Sequence, residues 1–120
     1  MSEKQGYVYV LRLTGDKWYV GYTEDPQVRI CSHFLGAGAR WTQTHKPVEV
    51  ESIRPGTTLL ETCVTLAMMV QKGWQNVRGG SYTQCAMEKP PACLGKAQHY
   101  ASYKVPAATE EVEEDADARA

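Results

Sequence analysis

The sequence predicts an α/β fold in which a small, three-stranded, mostly antiparallel sheet is flanked by helices. Residues 7–13 and 17–22 are rich in β-branched and aromatic types on either side of a glycine-containing turn, which is typical of a β-hairpin. Asp25 followed by Pro26 is a helix-start signal, because the carboxylate caps free N–H groups and proline has none to lose. Residues 58–72 are apolar over a wide helical face, as in a central packing helix.

The predicted elements follow one another in the order β-β-α-β-α. The first helix should end at Gly36, and residues 36–46 form a basic, glycine-bearing loop. Apolar and polar residues alternate from Pro47 to Ile53, which predicts a third strand at an edge of the sheet. The second helix runs from about Thr58 to Lys72 and stops at Gly73.

After the second helix the pattern becomes irregular, with short helical pieces predicted near residues 81–87 and 94–103. Residues 106–120 hold six of the 14 acidic residues and one of the 13 basic residues, and are predicted to form an acidic, disordered tail. Residues 1–105 then form one domain with 12 basic and 8 acidic residues. This mildly basic body suits an anionic partner.

Composition places the chain among soluble globular proteins. It has 120 residues, of which 42% are hydrophobic, enough for one compact domain. No apolar run approaches the ~18 residues of a membrane span. The N-terminus lacks the basic-then-apolar pattern of a secretory signal. We therefore expect an intracellular protein, in the cytoplasm or the nucleus, that is not secreted and does not act at a membrane.

Two short motifs on the predicted hairpin carry the chemical signal. Tyr7-Val8-Tyr9 stands ten residues before Tyr19-Val20-Gly21, Arg29 and His33 follow in the first helix, and Glu61 lies early in the second. In this order and spacing the residues resemble the GIY-YIG nuclease superfamily, as a small single-domain member. Tyr7 stands where the family has its first glycine, and valine replaces both central isoleucines. The resemblance covers residues 6–73.

The resemblance implies a metal-dependent DNA endonuclease that hydrolyses phosphodiester bonds. It assigns the general base to Tyr9 or Tyr19, with Tyr9 slightly favoured, and a free phenol with a pKa near ~10 needs activation for this role. Arg29 would donate to the phosphate oxygens in the transition state. Glu61 would bind one Mg²⁺ or Mn²⁺ near the leaving group, as an oxygen ligand for a hard cation. His33 would hydrogen-bond a tyrosine or relay its proton.

The geometry of the hairpin bears on this assignment, because side chains alternate between the two faces of a strand. With an odd number of loop residues, Tyr9 pairs with Gly21, and Tyr9 and Tyr19 share a face as diagonal neighbours. A two-residue Gly15-Asp16 turn would put the two tyrosines on opposite faces. Gly21, which has no side chain, should leave room beside Tyr9 for a backbone or a phosphate.

Structural explanations compete with the catalytic ones at each position. The tyrosines can pack a sheet, and Arg29 and His33 can form an exposed helix face. Glu61 can close a capping box that begins at Thr58. At the level of function, the alternative is a catalytically silent nucleic-acid-binding module or a protein-interaction module on the same scaffold. The presence of the complete set of five residues favours the catalytic interpretation.

The predicted nucleic-acid contacts are Lys17, Arg40, Trp41 and Lys46, with Arg54 and Arg78 as further basic candidates. Basic side chains would meet phosphates, and Trp41 would stack on an exposed base. DNA is the expected substrate, with branched and single-stranded forms both open. Nothing in the sequence resembles an appended DNA-reading domain, which favours recognition of DNA shape or ends and also allows a protein partner to supply specificity.

Overall fold

Within residues 5–96, four strands form one sheet at the centre of the fold. The computed structural model describes residues 5–96 of the chain. The strands are β1 (Tyr7–Leu13), β2 (Lys17–Thr23), β3 (Pro47–Pro55) and β4 (Val77–Gly79). The α-helices are α1 (Pro26–Phe34), α2 (Arg40–Thr44) and α3 (Thr58–Lys72), with 3₁₀ turns at Trp74–Asn76 and Ala92–Lys96. The predicted α/β class and its β-β-α-β-α order are confirmed, and α2 and β4 add to them.

The β1–β2 hairpin is closed by residues 14–16, two of which adopt positive φ angles of 77° and 56°. The loop is therefore odd in length, as the catalytic interpretation requires. Tyr9 pairs with Gly21, and Leu11 pairs with Tyr19. Since side chains alternate along each strand, Tyr9 and Tyr19 lie on the same face of the sheet.

The strands β3 and β4 form the two edges of the sheet, whose spatial order is β3-β1-β2-β4. β3 pairs antiparallel with β1, in the edge position that was predicted for it. β4 pairs parallel with β2 through Val77, Arg78 and Gly79. The prediction of three strands is corrected to four, because a three-residue strand with a glycine carries no readable alternation of polarity.

A tight turn follows β4. Gly79 and Tyr82 exchange two backbone hydrogen bonds, of 2.9 and 2.7 Å, and Gly80 between them has a φ of 52°. The helix predicted near residues 81–87 is wrong, because the chain leaves this turn in an irregular conformation. The helix predicted over residues 94–103 lies mostly outside the described residues, and the acidic tail lies wholly outside them.

Side-chain caps fix where α1 and α3 begin. The Asp25 carboxylate caps the first turn of α1, as predicted. The Thr57 hydroxyl caps α3 by accepting the backbone N–H of Leu60 at 3.2 Å, and α3 ends at Gly73, whose φ is 97°. The helix α2 was not predicted. It occupies five residues inside the predicted loop 36–46, too few to reveal a helical period.

The two faces of the sheet bury separate hydrophobic cores. The core shared with α3 consists of Val8, Val10, Trp18, Val20, Val64, Leu66, Met68, Met69 and Val77. The core on the other face consists of Tyr9, Leu11, Leu13, Tyr19, Ile30 and Trp41. Both motif tyrosines therefore lie on the face covered by α1 and α2. Within residues 5–96 no helix has the length and apolar character needed to cross a membrane.

Candidate active site

A cluster of three buried rings forms the centre of the candidate site. Tyr9 and Tyr19 project from neighbouring strands, and His33 of α1 is fully buried against them. The ring centroids lie 6.3 Å apart for the two tyrosines, 5.6 Å for Tyr9 and His33, and 5.1 Å for Tyr19 and His33. Tyr9 Oη lies 2.7 Å from His33 Nε2, a hydrogen-bonding distance. The structure thus brings together three of the predicted site residues.

The other nitrogen of His33 is held by α2. His33 Nδ1 lies 3.0 Å from Thr42 Oγ1, and the Thr42 hydroxyl donates to the carbonyl of Ala39 at 2.7 Å. Thr42 is buried, so this contact is shielded from water. No signal in the sequence marked Thr42 as a site residue, because its contact depends on how α2 packs against α1.

Two glycines make room for the Tyr9–His33 pair. A Cβ atom at Gly21 would overlap the ring and hydroxyl of Tyr9, and a Cβ atom at Gly38 would overlap the imidazole of His33. Each ring therefore lies directly against backbone. The expectation that Gly21 leaves room for a backbone or a phosphate is corrected here, since the ring of Tyr9 itself fills that space.

Arg29 of α1 supplies positive charge at the cluster, within hydrogen-bonding reach of both phenol oxygens. Burial raises the pKa of Tyr9 and of Tyr19, and the Arg29 charge opposes this effect at both. Burial also lowers the pKa of His33 to about 4, and the Arg29 charge adds to that shift. At neutral pH the phenols are therefore protonated and the imidazole is uncharged.

Glu61 lies in the first turn of α3 and affects the cluster through its charge. The N-cap of α3 is Thr57, whose hydroxyl accepts the backbone N–H of Leu60. The capping box that was considered from Thr58 to Glu61 therefore does not form. The half-buried carboxylate of Glu61 instead accepts the backbone N–H of Gly80. Burial raises the pKa of Glu61, and the bond from Gly80 opposes that shift. The charge of Glu61 acts on both motif tyrosines.

The carboxylate of Glu61 fits a single hard divalent cation. It is an oxygen ligand, partly open to solvent, whose charge acts on both motif tyrosines. Within residues 5–96 no group of three or more His, Cys, Asp and Glu side chains converges on one point. With Glu61 as the carboxylate ligand, water or substrate oxygens would complete the shell, which is common for Mg²⁺.

Sequence comparison identifies the scaffold of this site. Residues 5–58 match the family model of the GIY-YIG catalytic domain. This segment is a GIY-YIG catalytic domain. Four of the five predicted catalytic residues, Tyr9, Tyr19, Arg29 and His33, lie within the matched segment.

The relatives that this chain matches are small bacterial proteins. It is 40% identical over 50 residues to a UPF0213 protein of Bacillus pumilus and 43% identical over 49 residues to one of Cupriavidus necator. It is 36% identical over 50 residues to the UPF0213 protein YazA of Bacillus subtilis. The alignments cover 41–42% of this chain and 50–53% of the relatives, so the chain spans about half the length of the curated relatives it matches. No solved structure shows a significant match.

Part of the candidate site lies outside the matched GIY-YIG segment. Glu61 lies on α3, and its partner Gly80 follows β4. Arg78 holds this outer part together. Its buried guanidinium donates to the backbone carbonyls of Trp74 (2.9 Å), Val77 (2.8 Å), Gln84 (2.6 Å) and Cys85 (3.1 Å). The prediction of Arg78 as a nucleic-acid contact is wrong, because these donors are used inside the protein.

The predicted nucleic-acid contacts occupy different environments. Trp41 is buried, its indole N–H donates to the carbonyl of Trp18 at 3.0 Å, and its ring lies under the Arg78 guanidinium at 4.5 Å. A ring packed in this way has no exposed face on which a base could stack. The prediction that Trp41 stacks on a base is therefore corrected. Arg40 and Lys46 are exposed, and Lys46 lines a cavity of about 170 Å³ at the end of α1. Lys17 is partly exposed.

Proposed function

We propose that the chain is a divalent-metal-dependent endonuclease that hydrolyses phosphodiester bonds in DNA. The observation that carries the proposal is the hydrogen-bonded Tyr9–His33 pair, with Tyr19, Arg29 and Glu61 around it. These groups supply a proton acceptor, a cation and a metal ligand. Phosphodiester hydrolysis needs each of them, to activate water, to stabilise the transition state and to assist the leaving oxygen.

Tyr9 is the general base in this proposal. It is hydrogen-bonded to His33, whereas Tyr19 meets His33 ring against ring. Because burial raises the pKa of Tyr9, deprotonation of Tyr9 before the reaction begins is disfavoured. A concerted transfer avoids that state: the attacking water passes a proton to Tyr9 Oη while Tyr9 passes its own proton to His33 Nε2. The water oxygen then bonds to phosphorus, and the bond from phosphorus to the 3′-oxygen breaks.

Arg29 links substrate binding to this proton transfer. Its guanidinium can donate to the non-bridging phosphate oxygens, on which charge accumulates in the transition state. Its charge is also a cause, after burial, of the lowered pKa of His33. A phosphate bound to Arg29 would offset that charge, so His33 would become a stronger proton acceptor when substrate is present.

Glu61 would hold one Mg²⁺ or Mn²⁺, which when bound stabilises negative charge on the leaving oxygen. The chain contributes the orientation of the carboxylate. The backbone N–H of Gly80 donates to it, and its partial burial restricts where it can point. Lys17, Arg40 and Lys46 are proposed to bind the DNA backbone around the site, as cations that meet phosphates.

The test is a cleavage assay with Mg²⁺ or Mn²⁺ and labelled single-stranded, duplex, flapped and branched DNA. Tyr9→Phe and Glu61→Gln are each expected to lower cleavage by at least ~10²-fold, the scale of removing a catalytic group. Tyr22→Phe and Glu24→Gln, which change the same residue types outside the cluster, should cleave like the wild type. Equal cleavage by all variants would contradict the proposed site. DNA binding without cleavage under every condition would favour the catalytically silent binding module.

A further inference from the structure

Thr42 contacts His33 through the nitrogen that Tyr9 does not use. Thr42 Oγ1 lies 3.0 Å from His33 Nδ1 and 2.7 Å from the carbonyl oxygen of Ala39. His33 and Thr42 are at most 1% exposed, so bulk water does not compete for the hydrogen bonds of the imidazole. The position of the proton in each of these hydrogen bonds can therefore be deduced, starting from the carbonyl of Ala39.

The deduction begins at Ala39, whose carbonyl oxygen carries no proton. Two oxygens at 2.7 Å need a proton between them, so Thr42 donates its hydroxyl proton to Ala39. The Thr42 oxygen then has only lone pairs to offer, and His33 Nδ1 must supply the proton of the 3.0 Å contact. A neutral imidazole has a single N–H, so Nε2 is bare and accepts the Tyr9 hydroxyl proton.

We propose that Thr42 is a positioning residue that fixes His33 in the Nδ1–H tautomer and so makes His33 Nε2 the acceptor of the Tyr9 proton. The inference rests on the proposed nuclease function. It identifies the Thr42 hydroxyl as the group that makes Tyr9 the general base of the reaction. Without the Thr42 hydroxyl, the Nδ1 proton would lose its buried acceptor and the Nε2–H tautomer would gain population. An Nε2–H group would donate to Tyr9, which would then have no acceptor on His33.

The short helix α2 is the element that presents Thr42 to His33. Ala39, the N-cap of α2, accepts both the backbone N–H of Thr42 at 3.0 Å and its hydroxyl at 2.7 Å. Gly38, which precedes this cap, lies against the imidazole of His33. The same few residues thus fix both the place of the ring and the nitrogen that carries its proton.

Nitrogen-15 NMR of the labelled full chain tests the tautomer directly, because protonated and bare imidazole nitrogens differ in chemical shift. His45→Gln and His99→Gln variants assign the signals of His33. The wild type at pH 7 is expected to have a protonated Nδ1 and a bare Nε2 on His33. Thr42→Ser, which keeps the hydroxyl, should retain this pattern, whereas Thr42→Val, of similar volume without a hydroxyl, should shift the population towards Nε2–H.

Cleavage kinetics give the second measurement. Thr42→Val is expected to lower kcat about 10- to 100-fold with little change in KM, the range found when a partner that orients a functional histidine is removed. Thr42→Ser should cleave at close to the wild-type rate. Thr44→Val, an exposed position on the same helix, serves as the matched control and should also cleave normally.

A wild-type His33 with its proton on Nε2 would overturn the proposal, as would a Thr42→Val variant that keeps the Nδ1–H tautomer. If the tautomers behave as expected and the wild type cleaves no DNA, the nuclease function fails, and the role of Thr42 in setting the tautomer is still supported. Thermal unfolding establishes whether Thr42→Val is folded. If it is not, the wild-type and Thr42→Ser spectra decide.

Discussion

Tyr9 lies directly opposite Gly21 across the β1–β2 hairpin, and its phenol ring occupies the volume that a Cβ atom at position 21 would fill. Gly38 stands in the same relation to the imidazole of His33. The hydrogen bond between Tyr9 and His33 therefore depends on two positions that carry no side chain. Adding one carbon atom at either position tests this dependence.

Gly21→Ala is expected to lower DNA cleavage by at least ~10-fold, since the added methyl displaces the Tyr9 ring from His33. Overpacking of this kind should also lower the free energy of unfolding by about 1–3 kcal/mol. Cleavage and urea unfolding measure the two effects. The double variant Gly21→Ala with Tyr9→Leu removes the overlapping ring atoms and should regain stability without regaining activity. Full activity in Gly21→Ala would contradict the role assigned to this contact.

Gly38→Ala should displace the imidazole of His33 and lengthen its bond to Tyr9, because the new methyl overlaps the ring at Nδ1. We expect a loss of cleavage of at least ~10-fold, comparable with that of removing an orienting partner. The exposed neighbour Ala37 provides the control, and Ala37→Ser should cleave normally. An unchanged His33 spectrum in Gly38→Ala would show that the ring tolerates the methyl.

Stability should fall as the solution is made acidic, because burial lowers the pKa of His33 from 6.5 to about 4. Above pH ~6.5 the histidine is neutral in both states, and the folded state bears no penalty. As the pH falls from ~6.5 towards 4, the unfolded chain binds a proton that the folded chain does not, so the free energy of unfolding decreases, by up to about 3 kcal/mol. The free energy of unfolding, measured by urea titration across this range, should change more with pH for the wild type than for His33→Gln. Parallel curves would exclude His33 as the source.

Arg78→Met is expected to lower the free energy of unfolding by about 2–4 kcal/mol, because backbone carbonyls in the segment 74–85 lose a charged donor. Arg78→Lys should recover only part of this, since an ammonium group cannot span the same fork of acceptors. Denaturant unfolding measures both variants. Arg40→Met, at an exposed arginine, is the control and should stay within about 0.5 kcal/mol of the wild type.

Removal of a proposed DNA-binding cation should weaken binding to all DNA sequences alike. The slope of log K against log salt concentration should decrease by about 0.7–0.9 for each phosphate that the variant no longer neutralises. Fluorescence anisotropy with Lys17→Ala, Arg40→Ala and Lys46→Ala measures this slope. Lys89→Ala, at an exposed lysine outside the proposed DNA-binding set, should leave it unchanged. A slope that none of the three variants alters would place the DNA on another surface.

The local elements of this fold could be predicted because their signals lie in short stretches of sequence. The cap at Asp25 and the apolar face of Thr58–Lys72 are examples, and both agree with the structure. The number of residues in the hairpin loop gave a sharper prediction. An odd number was required for Tyr9 and Tyr19 to share a face, and the observed register leaves an odd loop.

The features that escaped prediction all depend on contacts between distant parts of the chain. Thr42 becomes a partner of His33 only when α2 packs beside α1. Arg78 looked like a surface cation because burial of a guanidinium depends on carbonyls that converge after folding. The space beside Gly21 was assigned to an incoming group, and only the side-chain conformation of Tyr9 revealed its true occupant.

The contact between Glu61 and Gly80 has a practical consequence for anyone who transplants this domain. An excised piece ending at residue 58 would keep the tyrosines and the histidine but would lack the carboxylate, and it would leave β2 as a bare edge. An excised domain should therefore extend at least through Cys85, whose backbone carbonyl accepts a hydrogen bond from Arg78. A fusion built to that boundary would include all five candidate catalytic residues, whereas one cut at residue 58 would expose the edge of β2 to pairing with strands of other molecules.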